Sequence, residues 1–237
     1  MGPYTADGPL PRLSDMVDGR AARYAGQRER RREEFVAAAL KTIAENGPDT
    51  TVEQIALAAG IARTRVYRFF DDIADLQAAI IAEGAAQLMG ELAPLWNPQG
   101  SARELISGAV RTYLRWLAEN ENVYRYGLQH MRHMSTGDDT ESYTAVRGVI
   151  SAQVARIFAG FARSLNLELR NAEPLAFGLV GMIESTGDRW LDTRASTSLD
   201  EISDLITTWC WTLIDTTLDL TGSGLDPDVP LPDLLAR

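Results

Sequence analysis

Apolar residues recur along most of the chain at the three- and four-residue spacing of α-helices. Residues 27–46 show the first clear case, with four apolar residues on one helical face: Phe35, Ala38, Ala39 and Ile43. Gly47 and Pro48 then end this helix, because glycine favours a helix C-terminus and proline cannot continue one. No stretch of useful length alternates with the two-residue period of a β-strand. The pattern therefore predicts an all-α protein.

Residues 51–70 predict two short helices that are joined at a glycine. Thr51 and Gln54 have the spacing of a capping box at the start of the first helix. Gly60 permits the left-handed backbone of a tight turn. The second helix, at 62–69, turns three apolar residues inward and exposes a basic face that comprises Arg63, Thr64, Arg65, Tyr67 and Arg68. Such a pair indicates a helix-turn-helix reader of DNA. The alternative, two helices that only pack together, leaves the exposed arginines and tyrosine without a reason.

Six further helices follow in the pattern. The first, at 71–92, has Asp71 or Asp72 as its cap and links the helix-turn-helix to the rest of the chain. The next begins at a second capping box, Ser101 with Glu104. These and the remaining helices are expected at 101–119, 123–133, 141–165, 172–191 and 199–220, with a polar loop at 135–139. We therefore expect four segments: a flexible arm at 1–25, a DNA-binding domain at 26–75, a helical body at 76–221 and a loosely held tail at 222–237.

The last two predicted helices are apolar on more than one side. Such helices must be covered on more than one side. Either they pair with the same helices of a second subunit, or they lie inside the bundle of a monomer.

The run TTVEQIALAAGIARTRVYRFFDDIADL resembles the DNA-binding domain of tetracycline-repressor-type (TetR family) transcriptional regulators. The resemblance extends from Arg28 to about Ile81. It includes the Asn-Gly end of the preceding helix, the Thr-Val opening, the Ala-Gly turn and the Val-Tyr-x-x-Phe close, in order and at matching spacing. It implies an all-α fold with an N-terminal three-helix helix-turn-helix DNA-binding domain and a C-terminal helical ligand-binding and dimerisation domain.

The resemblance also implies which residues contact DNA. In this family, residues at the positions of Thr51 and Tyr67 usually donate hydrogen bonds to phosphates. The exposed side of the reading helix faces the bases, and Arg31 lies in the arginine-rich start of the first helix, where it can reach a phosphate. The expected DNA-binding set is Arg31, Thr51, Ala62, Arg63, Thr64, Arg65, Tyr67 and Arg68. We expect Arg63 or Arg65 to read guanine, since a bidentate arginine discriminates bases by about 1–3 kcal/mol.

Two departures limit this transfer. The family often has Gly and then Ser or Thr where this chain has Thr64 and Arg65. It also often has a lysine where this chain has Ile73, so we expect that phosphate contact to be missing.

Bodies of this family pair their last two helices in a four-helix dimer interface. The implied interface residues are Phe177, Val180, Gly181, Ile206, Trp209, Cys210 and Leu213. A two-fold dimer places two reading helices about 34–36 Å apart on successive major grooves, so the expected partner is a palindromic DNA operator.

Bodies of this family also usually enclose a pocket for a small-molecule inducer that releases DNA. Candidates are aromatic or polar residues on otherwise apolar helices: Trp96, Tyr113, Trp116, Tyr124, Tyr126, His130, Tyr143, Phe158, Glu184 and Asp188. Plain core packing is the alternative for each of them. Glu184 and Asp188 lie on one helical face, where they either pair with Arg147 or Arg189 or face a wet pocket.

Composition agrees with a globular protein of one or two domains. The 237 residues are 45% apolar and 24% charged. No apolar run reaches the length of a membrane span and no signal peptide is recognisable, so we expect a cytoplasmic protein without a membrane partner. A single cysteine, Cys210, excludes an intramolecular disulfide and a multi-cysteine metal site.

The net charge of −10 is unevenly distributed. Residues 20–75 hold ten basic and nine acidic residues, whereas residues 76–237 hold twelve basic and twenty-one acidic residues. The short stretch 20–32 has six arginines and one acid. A basic end on an acidic body suits a protein that holds DNA at one end only.

Other function classes find little support. The sequence has no nucleophile elbow, phosphate loop or zinc signature, so we expect no enzyme and no cofactor. His130 and His133 have a spacing that can hold a metal, but no third ligand lies near them in the sequence, and we expect no metal. A helical scaffold without a DNA-binding role is a further alternative.

Overall fold

The computed structural model describes residues 13–96, 100–134, 152, 154–156, 159–160, 172–219 and 226–235. Within these ranges the chain is helical and contains no strand, which confirms the all-α prediction. The helices are α1 Leu13–Asn46, α2 Val52–Ala58, α3 Arg63–Val66, α4 Ile73–Leu92, α5 Ala102–Glu119, α6 Glu121–Met134, α7 Ala172–Thr193, α8 Leu199–Asp219 and α9 Leu231–Leu235. A 3₁₀ turn, Ala93–Trp96, follows α4. No helix in these ranges is long and apolar enough to cross a membrane.

The first helix starts earlier than predicted. It begins at Leu13 instead of residue 27, so the second half of the predicted flexible arm is helical. The last proline of the arm is Pro11, and the residues after it are rich in arginine and alanine, which favour helices. The first twelve residues lie outside the described ranges, as do the predicted loop at 135–139 and most of the predicted helix at 141–165.

The first four helices share one hydrophobic core. Its fully or nearly fully buried members come from all four helices and from α6: Phe35, Val36, Ala39, Leu40, Ile43, Ile55, Ala56, Val66, Phe70, Leu76, Ile80 and Tyr126. Three of the four predicted face residues of α1, Phe35, Ala39 and Ile43, belong to this core, and the fourth, Ala38, is partly buried. The core therefore continues past residue 75 into α4 and α6.

One arginine joins three parts of this domain. Arg32 of α1 donates two hydrogen bonds to the carboxylate of Asp75 in α4, at 2.9 and 2.6 Å. It donates a third, of 3.1 Å, to the carbonyl of Phe69, directly after the helix-turn-helix. Its guanidinium also lies 4.5 Å from the centroid of the Phe70 ring. The hydrogen bonds from Arg32 hold the pKa of the Asp75 carboxyl below its ordinary value.

The body is built around α5, α7 and α8. Its core contains Leu114 and Leu117 of α5, Leu179 of α7 and Ile206 of α8. A glycine lets α7 approach α5 closely, because a Cβ atom at Gly187 would lie 3.1 Å from three side chains of α5. The end of α4 packs against the same helix through Leu88, Leu92 and Trp116.

The chain end is attached to the body at the start of α5. The amide of Leu231 donates to the carbonyl of Gly100 at 3.0 Å, and the amide of Arg103 donates to the carbonyl of Pro227 at 3.1 Å. An ion pair of 2.7 Å joins Arg103 to Asp228. The prediction of a loosely held tail is therefore wrong for residues 226–235, because the three prolines that suggested it do not prevent these cross-chain contacts.

We expect Arg32→Ala to lower the free energy of unfolding by about 1–3 kcal/mol, because hydrogen bonds to a partly buried charged group are lost. Urea denaturation measures the change. Arg30→Ala is the matched control, since Arg30 is exposed and pairs with Glu34 of its own helix, and its change should stay within about 0.5 kcal/mol.

The same substitution predicts a pH dependence. A carboxyl whose folded-state pKa is lowered stabilises the fold above its ordinary pKa, and this contribution is lost as the pH falls through the lowered value. The stability difference between the wild type and Arg32→Ala should thus be complete at pH 7 and shrink below about pH 4. If the stability difference between the wild type and Arg32→Ala were the same at pH 7 and at pH 3, the result would contradict the role of Asp75.

Candidate nucleic-acid interface

The helix-turn-helix begins at the predicted capping box. The hydroxyl of Thr51 accepts from the amide of Gln54 at 3.4 Å, and the side chain of Gln54 accepts from the amide of Thr51 at 2.7 Å. Gly60 has a φ of +68°, in the left-handed region that glycine adopts without strain. The cap and the turn are both confirmed.

The reading helix is shorter than predicted. Helix α3 covers Arg63–Val66 instead of 62–69. After Val66 the amides of Arg68 and Phe69 donate to carbonyls three residues earlier, at 3.1 and 2.9 Å. Hydrogen bonds of this kind tighten the last turn of a helix, so the segment continues as a compact turn to Phe69.

The predicted basic face lies in solvent. Each of its residues is exposed, as is the cap residue of α3: Ala62, Arg63, Thr64, Arg65, Tyr67 and Arg68. Val66 and Phe70 are buried beneath them and Phe69 is partly buried. Thr51 is also exposed, at the start of α2. The turn thus presents its polar residues on one surface and anchors them by apolar residues on the other.

Arg63 forms an ion pair across the helix-turn-helix. Its Nη1 contacts Oε1 of Glu53, which lies in the first turn of α2. Glu53 is not among the predicted site residues. The sequence does contain a pattern that could have predicted this pair: an acidic residue in the first turn of α2 and an arginine at the start of α3.

A groove of about 680 Å³ lies between α1 and the reading helix. Four of the residues that line it are arginines: Arg28, Arg31, Arg65 and Arg68. Arg31 also pairs with Glu34 at 3.0 Å, but both side chains are exposed, and such pairs are weak. The fold therefore brings three predicted DNA-binding residues together around one groove.

Arg32 has a different position from its neighbours in α1. It points toward Asp75 and Phe69, as described above, and is not available to DNA. Ile73, where the family often has a lysine, is the first residue of α4 and is exposed. The carboxylate of Asp72 beside it accepts from the amide of Asp75 at 2.8 Å and caps this helix.

Comparisons with known proteins place this site in a family. The family model described as "Bacterial regulatory proteins, tetR family" matches residues 35–80, which contain the helix-turn-helix. Residues 35–80 therefore form a DNA-binding domain of the TetR family. This match and the transcriptional regulators that resemble the chain confirm the prediction of a DNA-binding regulator and not of an enzyme.

Relatives of similar length agree with this assignment. The chain is 23% identical over 216 residues to an uncharacterised HTH-type transcriptional regulator of Mycobacterium tuberculosis, which covers 90% of each chain. A TetR-family regulator from Streptomyces coelicolor superposes with a TM-score of 0.63 and 19% identity and covers 88% of each chain. The regulator FadR from Bacillus subtilis, solved in complex with stearoyl-CoA, has a TM-score of 0.62 and 19% identity and covers 75% of this chain and 96% of FadR.

Helix α6 packs directly against the DNA-binding domain. Tyr126 is fully buried in the core of that domain and stacks on His130, with ring centroids 4.0 Å apart. Burial raises the pKa of Tyr126 to about 12, although a hydrogen bond with Gln77 opposes the shift. Asn122 donates to the carbonyl of Ala44 at the end of α1, at 2.8 Å. The structure thus places Tyr126 and His130 at the contact between α6 and the DNA-binding domain, where both line a cavity of about 570 Å³ next to the start of α2. Their role in ligand binding stays a prediction.

Other residues in the first half of α6 join it to α7 by ion pairs. Arg125 pairs with Glu121 in its own helix and with Asp192 near the end of α7, each at 2.8 Å. Arg194 pairs with Glu121 at 2.9 Å. Helix α6 is thus in contact with the DNA-binding domain through one set of residues and with α7 through another.

The remaining pocket candidates are only partly described. Tyr113, Trp116 and Tyr124 lie together against the end of α4. Glu184 and Asp188 are half-buried on α7, on either side of the close contact at Gly187. Tyr143, Phe158 and the side chains of Trp96 and His133 lie outside the described part of the chain. Among the residues that are described, no three metal-binding side chains come together.

The predicted dimer residues divide into two groups. Ile206 and Cys210 are buried within the subunit, in the core that α5, α7 and α8 form, and Val180 of α7 is buried as well. The assignment of these three to a subunit surface is wrong for that reason. Phe177, Trp209 and Leu213 are exposed, and Gly181 is partly buried.

We expect Gly60→Ala to lower the free energy of unfolding by about 1–2 kcal/mol, because alanine is strained at a positive φ. No atom lies within 4 Å of the added Cβ, so the effect isolates the backbone. Gly90→Ala in α4, which also meets no neighbour, is the control and should be neutral or slightly stabilising. Equal urea midpoints for the two variants would contradict the strain argument.

Proposed function

We propose that this chain is a ligand-responsive repressor that binds a palindromic operator as a homodimer and is released by a small-molecule inducer. The observation that carries the proposal is the exposed basic face of α3 on a capped helix-turn-helix of TetR type. A protein that acts on DNA in this way works in the cytoplasm.

The proposed DNA contacts follow from the positions of the residues. Arg63 and Arg65 reach base edges in the major groove, and Ala62 and Thr64 lie beside them. Thr51 and Tyr67 donate to phosphates and fix the register of the reader. Arg31 and Arg68, on opposite sides of the arginine-lined groove, hold the neighbouring phosphates. The affinity for DNA depends on the salt concentration, because most of the binding free energy from these contacts is electrostatic.

An exposed apolar stripe supports the proposed dimer. Leu205, Trp209 and Leu213 are four residues apart on α8, and each is 41–43% exposed. Phe177 of α7 is 39% exposed. Contiguous apolar surface of this kind marks a protein interface, and a symmetric pair of subunits covers it with the same four helices. The two readers then face successive half-sites of one operator.

The contacts of α6 support a route from the body to the reader. A ligand that moves α7 also moves α6 through Arg125, and α6 carries Tyr126 into the core of the DNA-binding domain. The ligand favours release if it binds better to the form whose readers do not fit the operator. The FadR neighbour contains stearoyl-CoA, so an acyl-CoA is a first probe for this body.

We expect Arg65→Ala to weaken binding to the operator by about 5- to 150-fold, the value of one bidentate base contact. Binding to unrelated DNA should fall much less. Tyr67→Phe removes a phosphate contact, so it should weaken binding to both DNAs by similar factors. Fluorescence anisotropy with DNA that flanks the gene, at several salt concentrations, measures these constants. A purified wild type without sequence preference would favour the scaffold alternative and contradict the proposal.

The dimer has a separate test. We expect Trp209→Glu to weaken self-association by at least about 30-fold, the effect of a substitution that costs about 2 kcal/mol at an interface. Analytical ultracentrifugation measures the dissociation constant. Leu57→Glu is the control, because Leu57 is 81% exposed on α2 and lies outside the apolar stripe. An unchanged dimer in Trp209→Glu would place the interface elsewhere.

A further inference from the structure

We propose that Glu53 is a positioning residue that sets the base specificity of the reader by holding Arg63. The proposal rests on the DNA-binding role given above. It assigns a function to an acidic residue on the surface that meets the DNA phosphates, where a negative charge by itself opposes binding.

The geometry of the pair suits this role. Glu53 lies in the first turn of α2 and Arg63 opens α3, so the pair joins the beginnings of the two helices. The contact is made by Nη1 of Arg63 and Oε1 of Glu53. The side chains are 50% and 55% exposed, so both remain accessible to a partner. The turn at Gly60 that separates the helices holds the pair at a fixed spacing.

The arginine keeps enough donors to read a base while it is paired. A guanidinium has five N–H donors in one plane, and the contact with Glu53 occupies one side of it. Guanine recognition needs two of these donors, directed at O6 and N7. An arginine that is already oriented loses less side-chain freedom when it binds, which favours the correct base.

The carboxylate also opposes an incorrect contact. A free arginine beside DNA can turn to a phosphate, which binds any sequence equally. When Arg63 is paired, that movement either breaks the ion pair or brings Glu53 toward the phosphate charge. Glu53 therefore penalises the non-specific position more than the base-reading position, and specificity depends on such a difference.

Arg63 differs in this respect from the rest of the basic face. Among the described residues, Arg63 is the arginine of the reading helix that forms an ion pair. The other arginines of this surface that pair with acids lie in α1: Arg28, Arg30, Arg31 and Arg32. The pair is too exposed to contribute much to folding. Its removal should thus be visible in DNA selectivity and not in stability.

The test compares Glu53→Gln with the wild type on the operator and on unrelated DNA of equal length. We expect the ratio of the two affinities to fall by at least about 5-fold, the lower value for one bidentate base contact. Binding to unrelated DNA should become tighter because a negative charge is removed. Glu45→Gln is the control, since Glu45 is an exposed acid of α1 that pairs with Lys41. Its two affinities should shift together and leave the ratio unchanged.

A double-mutant cycle separates positioning from a direct effect on DNA. The base pair read by Arg63 is the operator position at which Arg63→Ala no longer discriminates. We expect Glu53→Gln to lose discrimination at that same position, and to change the ratio no further in the Arg63→Ala background. Urea denaturation should give equal stabilities for the wild type and Glu53→Gln.

Three results would overturn the inference. The ratio of operator affinity to unrelated-DNA affinity could stay unchanged in Glu53→Gln. It could fall by the same factor in Glu45→Gln. Glu53→Gln could also lower this ratio as much in the Arg63→Ala background as in the wild type. Each of these leaves the proposed function intact, provided that the wild type still prefers its operator. A wild type with no preference would instead overturn the proposed function and this inference with it.

Discussion

The position of the reading helix depends on the hydrogen bonds of Arg32. Helix α3 is four residues long and contributes one buried side chain, Val66, so contacts outside the helix also fix its position. Arg32 binds the carbonyl that follows the reader, a carboxylate of α4 and the face of Phe70 at the same time. A shift of α4 therefore changes the surroundings of the reader without any contact between the ligand and α3.

Helix α6 extends this dependence to the body. The domain that meets DNA takes one of its largest buried side chains, Tyr126, from α6. The same helix pairs with the end of α7 through Arg125, and α7 carries the exposed Phe177. In the proposed function, subunit pairing, ligand binding and DNA reading are connected by short contacts, and each can bias the others.

The local features of the fold were predictable from the sequence, and the long-range ones were not. Thr51, Gln54 and Gly60 act within a few residues of themselves, so their spacing predicts the cap and the turn that the structure contains. The partners of Arg32 and Tyr126 lie on other helices, and no local pattern identifies them. Helical periodicity also cannot tell a face that packs inside the subunit from one that faces a second subunit, which is why Ile206 and Cys210 were assigned to the wrong surface.

The place of Tyr126 affects how new regulators of this kind can arise. A reader cut at residue 75 and joined to another body loses the side chains of Leu76, Ile80 and Tyr126 from its core. A hybrid made by exchange of domains therefore starts with a cavity beneath the helix-turn-helix, which must be filled before the protein is stable. Substitutions on the exposed face of α3 leave that core intact. Point mutation is consequently the easier evolutionary path to a new operator, and recombination succeeds only when α4 and α6 travel with the reader.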